Sequence, residues 1–486
     1  MADLRNSQHK CRNLVLAIIA LAAALRLINL GGRPLWYDEA FAVLYAAKPL
    51  STMLHGTLTQ LQGAAADVHP LFFYSVLHAW MGIVGQSPAT VRALSVLLGT
   101  ATVLMIYLLT RRLFGWRSGL AAATIVAIAP FPIYYSQEAR MYALLGFSAI
   151  TTTYFFVRAW AGGKWGDWIA FSIFAAITLY AHNLGFAFIA AMDLWVLLAW
   201  FRPRQTPWHN LRPLLLSHIL MVGLFAPWLV VVPSQIAKIQ QAYWVQQPGI
   251  AQLIQTFLIF HFAYDNQSLP RWLLPPALLF SLLIPAIIAF QLLRQRRSSI
   301  SHSPCLTPYS TLPNPFSLLL FLTLIPILLT FLVSQIHPVY IVRALLPSAL
   351  TYYMLVAAVL VVGAVPRPVK WGLLVPAFVI VAASLWNHYS YVQFPRAPFA
   401  QVAATLRAHR QAGDAIVHSN KITFFPTHYY DRSLPQTFIA DEPGSPGDTL
   451  AYATQEALGL FATSDPATAT RGAERVLFVI FRRVGG

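Results

Sequence analysis

Two adjacent carboxylates, Asp38 and Glu39, stand in RPLWYDEAF (33–41), directly after an apolar run closed by Gly31-Gly32. A third acid, Asp67, lies two residues before His69 in DVHPLFFY. Acids are scarce here, with 16 Asp+Glu against 33 Lys+Arg in 486 residues. Carboxylates kept beside hydrocarbon are costly and are retained for function more often than by chance. At a lipid interface such a group can act as a general base. It could draw the proton from an acceptor hydroxyl as that oxygen attacks a sugar's anomeric carbon. Arginines nearby could hold a lipid phosphate as planar forks. Asp38 and Asp67 could also share a divalent metal through hard oxygen ligands. These residue types alone suit several chemistries.

The elements that must position them are membrane helices. The chain is 57% hydrophobic and 10% charged, where a soluble domain is closer to a quarter charged. Apolar runs of spanning length, roughly 18 to 20 residues, fall near 14–30, 91–109, 118–135, 141–160, 168–181 and 184–200. Further runs lie near 214–232, 272–293, 316–335, 341–362 and 371–388. Basic clusters follow alternate runs: Arg111/Arg112/Arg117, Arg158/Lys164, Arg202/Arg204/Arg212, Arg294/Arg296/Arg297 and Arg367/Lys370. With Arg5, Lys10 and Arg12 they define one cytoplasmic side, provided that 69–84 does not cross. The expectation is a polytopic α-helical membrane protein with about eleven transmembrane helices, residues 1–388, and a long outer loop at 31–90.

The tail from 389 to 486 differs. It holds eight of the 16 acids and nine of the 33 basic residues. FAQVAATLRAHRQAG reads as an amphipathic helix closed by Gly413, and DAIVHS and RVLFVIF read as strands. This predicts a small α/β domain, placed outside by the odd helix count. Cys11 and Cys305, both in basic segments, make neither a disulfide framework nor a zinc motif. The positive charge follows the loops of a membrane protein, so nucleic-acid binding is excluded.

On this topology Asp38, Glu39, Asp67, Glu138 and Asp265 fall on the outer side. So do Arg33, Lys48, Arg92, Arg140, Lys238, Arg271 and Arg343. Arg271 and Lys238 read as ordinary interfacial cations. Asp38, among aromatics, reads as functional. Glu138 and Tyr142, four apart, would share a helix face; Glu138 in a first-turn capping role is an equal alternative. His182 reads first as a structural interface histidine.

The motifs resemble a family. WYDEAF followed by DVHPLFFYSVLHAW is similar to the first outer loop of the protein O-mannosyltransferase superfamily, which includes the lipid A aminoarabinose transferases. VRALSVLLGTATVLMIYLLTRRLFG, YYSQEARMYALL, YAHNLGFAF and VYIVRALLPSALTYY resemble its later segments, as does the AGDAIVHSN…HYYD tail. The resemblance implies the class C glycosyltransferase fold and a polyprenyl-phosphate-linked sugar donor. It implies Asp38 as catalytic base with Glu39 the second acid of the pair. Asp67 and His69 match a DxHPP-like element, although Leu71 stands where a second proline is usual. Arg92 matches an arginine opening the next helix and is expected on the donor phosphate, as is Arg343. Glu138, Arg140, Tyr142 and His182 complete the expected substrate-binding set. The acceptor would be a protein, lipid or glycan hydroxyl, and the site would face outward from a bacterial-type inner membrane. The chain stops soon after RVLFVIFRRVGG, where relatives commonly continue, so an incomplete tail domain is expected. A transporter or lipid flippase is the rival reading. It would place relay acids within the spans, and only Asp193 lies clearly there.

Overall fold

A computed structural model describes residues 2–61, 64–200, 210–241, 244–263, 314–363, 365–390 and 397–480, with four isolated positions between 275 and 286. Asp265, Arg271, Cys305, the 272–293 run, and the basic residues at 202, 204 and 294–297 lie outside the described residues.

The described chain is mostly helical. Five of its helices are long and apolar enough to cross a membrane: Pro88–Phe114, Leu211–Leu229, Pro315–Val333, Val342–Val362 and Arg367–Ser390. A sixth crossing arises if Trp116–Ile128 and Pro130–Ser136, bent by 60°, count as one span. Shorter apolar helices cover Phe72–Val84, Trp165–Ala181, Gly185–Trp200 and Ile250–Phe262. The expected count of about eleven therefore meets a structure in which several apolar runs are short or broken. The cause lies in the sequence. Pro130 removes a backbone donor where the 118–135 run bends. His182-Asn183-Leu184 separates two helices of 17 and 16 residues.

The buried Arg26 secures the Pro130 bend. Its guanidinium donates to the carbonyls of Ala22, Val126 and Ala127, each at 3.1 Å, and to Ser136 Oγ at 3.1 Å. Carbonyls orphaned at a helix break need such partners in an apolar interior.

The segment from 31 to 90 folds onto this bundle. It carries the helices Tyr37–Ala46 and Leu50–Leu58, a short antiparallel pair at Gln60–Leu61 and Ala64–Ala65, and the helix Phe72–Val84. The last is 13 residues long and is not among the candidate spans. Pro88–Phe114 then starts on a Ser87 cap, whose side chain accepts from Thr90 N–H, with Pro88 in the first turn.

The tail forms a four-stranded parallel sheet in the order Ala462–Thr463, Gln436–Ile439, Asp414–His418, Arg475–Val479. The helix Phe399–His409 precedes it, and Gly413 turns the chain with φ 87°. The helix Lys421–Tyr430 packs against Tyr37–Ala46 of that segment, bringing Phe425 within 5.8 Å of the Tyr37 and Phe41 rings.

Candidate active site

Adjacent residues on a helix point about 100° apart, and this separates Asp38 from Glu39. Asp38 lines a cleft with about 120 Å³ of internal space, together with Tyr37, Asp67, His69, Tyr74, Arg140, Lys238, Trp244 and Arg343. Glu39 turns inward and is fully buried.

Arg343 Nη1 lies 3.4 Å from Asp38 Oδ2, with both side chains under one-fifth exposed. The Arg343 guanidinium also rests over the rings of Trp36, Tyr142 and Trp244 at 5.9, 5.4 and 5.4 Å. Arg140 reaches the Asp38 carbonyl at 3.4 Å and the Tyr74 hydroxyl at 3.3 Å. The Nε groups of both arginines are buried with no hydrogen-bond acceptor among the described residues. Burial would lower Arg140's pKa, but Tyr74, Asp38, Tyr142 and Asp67 more than offset it and hold the guanidinium firmly charged. A buried cationic donor aimed at a cleft is suited to an anion.

Asp67 Oδ1 accepts from the His69 backbone N–H at 3.0 Å and lies 2.9 Å from His69 Nδ1. Burial alone would raise the Asp67 carboxyl. The attraction and hydrogen bonds of His69, with Arg140 beyond, outweigh it and hold the carboxyl below its ordinary value. Gln235 supports the turn by donating to the Asp67 carbonyl at 3.2 Å, and Asn183 donates to the Val68 carbonyl at 3.0 Å. His182 packs beside these residues, its ring 6.2 Å from and edge-on to His69 and 6.1 Å from Tyr142. Its Nδ1 accepts from Leu184 N–H at 3.1 Å, and burial with the nearby His69, Arg343 and Arg140 holds it neutral. Tyr142, also buried, backs the cleft beneath Arg343.

Two expectations need correction. Arg92 is not offered to a phosphate. Its five N–H groups meet Glu39 Oε1 (2.8 Å), Glu39 Oε2 (2.7 Å) and the carbonyls of Leu30, Arg33 and Pro34 (2.8, 2.8 and 3.2 Å). A guanidinium has five donors, so none remains. Glu39, its buried partner, also accepts from Ala139 N–H at 3.0 Å and is not among the cleft-lining residues. Glu138 and Tyr142 do not share a helix face, nor does Glu138 cap a helix. The helix begins only at Tyr142, and Glu138 is buried in the irregular break before it. That break, QEARM (137–141), works residue by residue. Gln137 binds the carbonyls of Arg26 and Ile28, Ala139 meets Glu39, and Arg140 enters the cleft.

A metal is not favoured by the donor set. Asp38 and Asp67 carry the basic partners Arg343 and His69, and no three His, Cys, Asp or Glu cluster for a metal among the described residues. The mid-span Asp193 meets His218 of the neighbouring helix at 2.9 Å.

Sequence reasoning passed over Lys238, Trp244, Tyr74 and the tail residues Thr449, Leu450 and Thr454, all of which line the cleft. Lys238 was read from the sequence as an ordinary interfacial cation, and only its helix face shared with Gln235, the anchor of the Asp67 turn, brings it to the cleft. The tail residues had none.

Residues 68–231 match the family model for dolichyl-phosphate-mannose-protein mannosyltransferase. Among curated protein sequences nothing matches the chain. Among solved structures it is similar to ArnT from Cupriavidus metallidurans in the apo state, with a TM-score of 0.59 at 12% identity over 89% of this chain and 87% of that one. The same protein bound to undecaprenyl phosphate gives 0.57 at 13%, over 88% and 86%. The Archaeoglobus fulgidus oligosaccharyltransferase AglB, in complex with an inhibitory peptide and a dolichol-phosphate, gives 0.52 at 14%, over 85% and 63%. These likenesses describe a shared fold, and the family match falls on the segment that follows Asp67 and carries Arg92, Arg140 and His182. The family match covers about a third of the chain, and the structural likenesses show a fold shared with ArnT and AglB.

Proposed function

We propose that the chain transfers a sugar from a polyprenyl-phosphate donor to an acceptor hydroxyl on the outer face of the inner membrane, with inversion at the anomeric carbon. The observation that carries this reading is the Asp38–Arg343 contact at 3.4 Å, with Arg140 on the same cleft. One carboxylate stands beside two guanidiniums whose Nε groups lack partners among the described residues. In this reading Asp38 takes the proton of the acceptor hydroxyl as its oxygen attacks the anomeric carbon. The bond from that carbon to the phosphate oxygen breaks, and the polyprenyl phosphate leaves bearing the charge that Arg343 and Arg140 neutralise. A single displacement needs no enzyme nucleophile, hence inversion. Asp67 and His69 shape the acceptor side.

An apolar cavity of about 480 Å³ supports the donor assignment. It lies between the Ile250–Phe262, Leu346–Val362 and Arg367–Ser390 helices, with Tyr353, Val356 and Leu360 in its lining. Val356 is 13 residues beyond Arg343, or roughly 20 Å along a helix. A prenyl tail in that cavity and a phosphate at Arg343 would be compatible with one molecule. The eleven-span topology, with a cytoplasmic N-terminus and an outer tail domain, belongs to the same reading. It is supported by the alternating basic loops.

The test is chemical. Cells lacking the protein should accumulate one lipid-linked sugar, and the purified protein in liposomes should bind undecaprenyl phosphate. Absence of both results overturns the reading.

A further inference from the structure

One wall of the cleft comes from the far end of the chain. Thr449, Leu450 and Thr454 line it together with Asp38 and Asp67, some 400 residues earlier. Everything else in the lining belongs to the outer loop, the bundle or its short connecting segments.

The wall is fastened at three points. Lys421, 4% exposed, places Nζ 2.6 Å from Asp441 Oδ2 and also donates to the Gly447 carbonyl. A Cβ at Gly447 would sit 2.9 Å from Asp441 Oδ1, so the loop closes directly on the ion pair. Lys238 of the cleft reaches over to the Asp448 carbonyl at 3.4 Å, while the Asp448 carboxylate accepts from Gly444 N–H at 3.1 Å. Past the loop, Thr454 Oγ1 donates to the Gly56 carbonyl at 2.9 Å. A Cβ on Gly56 would lie 2.6 Å from Ala457 Cβ, so the tail helix Tyr452–Leu458 seats directly on the outer-loop helix Leu50–Leu58. A nearly buried lysine needs its counter-charge, and removing either partner frees the segment that the pair holds.

The donor's needs are met elsewhere. Its phosphate has two guanidiniums at the outer ends of the bundle, and its tail has the apolar cavity. In the sugar-transfer reading an acceptor hydroxyl must approach Asp38, and the tail lines the cleft that Asp38 lines. The wall offers hydroxyl groups and an aliphatic surface, and none of its three lining residues carries a charge.

We propose that the segment from Asp441 to Thr454 is the acceptor-selecting wall of the cleft, and that Lys421 and Asp441 are positioning residues that hold it over Asp38. The inference rests on the sugar-transfer reading above and deepens it by assigning the acceptor side to the tail.

The test pairs two measurements on the full-length protein: undecaprenyl phosphate affinity in liposomes, and clearance of the accumulated lipid-linked sugar when variants are returned to cells lacking the chain. Thr449→Trp should slow clearance at least about tenfold while lipid affinity stays within about twofold; such a split separates loss of acceptor docking from loss of the donor site. Lys421→Met and Asp441→Asn should show the same split, and the reversed pair Lys421→Asp with Asp441→Lys should recover most of the clearance. Parental clearance by Thr449→Trp overturns the wall. So does a fall in lipid affinity that parallels the fall in clearance. Failure of the reversed pair to recover any activity overturns the positioning role. If Lys421→Met does not accumulate in membranes, Thr449→Trp decides. Failure of the underlying reading appears instead in the parent protein, as no lipid binding and no accumulated donor.

Discussion

Glu39 and Arg92 form a two-pronged ion pair inside the protein, Nε to Oε1 at 2.8 Å and Nη2 to Oε2 at 2.7 Å, each side chain at most 1% exposed. Since Glu39 also receives Ala139 N–H, the pair ties three segments together: the helix Tyr37–Ala46, the start of Pro88–Phe114 and the break that presents Arg140. Its role is to position the cleft from behind.

Removing one charge from that pair leaves the other buried alone, which costs about 3–5 kcal/mol. Glu39→Gln and Arg92→Ala should therefore lower the melting temperature in detergent and reduce the amount of folded protein. Arg92→Lys should fail almost as badly, because one ammonium cannot replace a fork that meets two carboxylate oxygens and three carbonyls. A stable Arg92→Lys protein with an intact fold would contradict this assignment.

Asp38→Asn should behave in the opposite way. The carboxylate is partly exposed in the cleft, and its amide keeps the size and most hydrogen bonding. Folding and undecaprenyl phosphate binding should persist. Transfer should fall by about 10²- to 10⁴-fold, the usual worth of general-base assistance. Turnover at the parental rate would remove Asp38 from the chemistry.

Arg343 and Arg140 should govern lipid-phosphate affinity. Replacing Arg343 by Lys keeps the charge and loses the planar fork and its ring contacts. A loss of about tenfold in affinity, equivalent to about 1.4 kcal/mol, is expected, and Arg343→Ala should lose more. Equilibrium binding of undecaprenyl phosphate to both variants measures this directly.

Acid should loosen the Asp67 turn. The carboxyl is held below its ordinary value when folded, so the folded state binds fewer protons than the unfolded one in between. Its contribution is thus complete above about pH 4, the unfolded value, and is lost as pH falls through the lower folded value. The stability difference between the parent and Asp67→Asn should be full at pH 7 and shrink below about pH 4. Chemical denaturation across that range reads the effect. A difference that grows below about pH 4 would contradict the Asp67 pairing.

Reporter fusions after Lys164 and after Tyr430 should report opposite sides of the membrane, as the alternation of basic loops requires. The same side for both would break the topology.

The sequence alone determined the bilayer as solvent, because so little charge spread over so many apolar runs leaves no soluble alternative. It also led to the expectation that Asp38 belongs to a chemical site, and the structure places Asp38 in a cleft with Asp67, Arg140 and Arg343. An acid beside Gly-Gly and Pro at a helix exit has few other reasons to persist there. Local signals placed the tail helix at Phe399–His409 and strands at Asp414–His418 and Arg475–Val479. What only the tertiary structure decided was partnership. Glu39 and Arg92 are 53 residues apart, and nothing local says that one consumes the other. Arg140 and Arg343 each open a helix in the sequence, yet their meeting at Asp38 depends on how the 137–141 break turns and on which helices pack together. Thr449, Leu450 and Thr454 join the cleft only because Lys421 and Gly56 dock the tail against the outer loop. Periodicity and composition report the solvent that each residue meets. Which residues meet each other across hundreds of positions is settled by packing and by the need of every buried charge for a counter-charge.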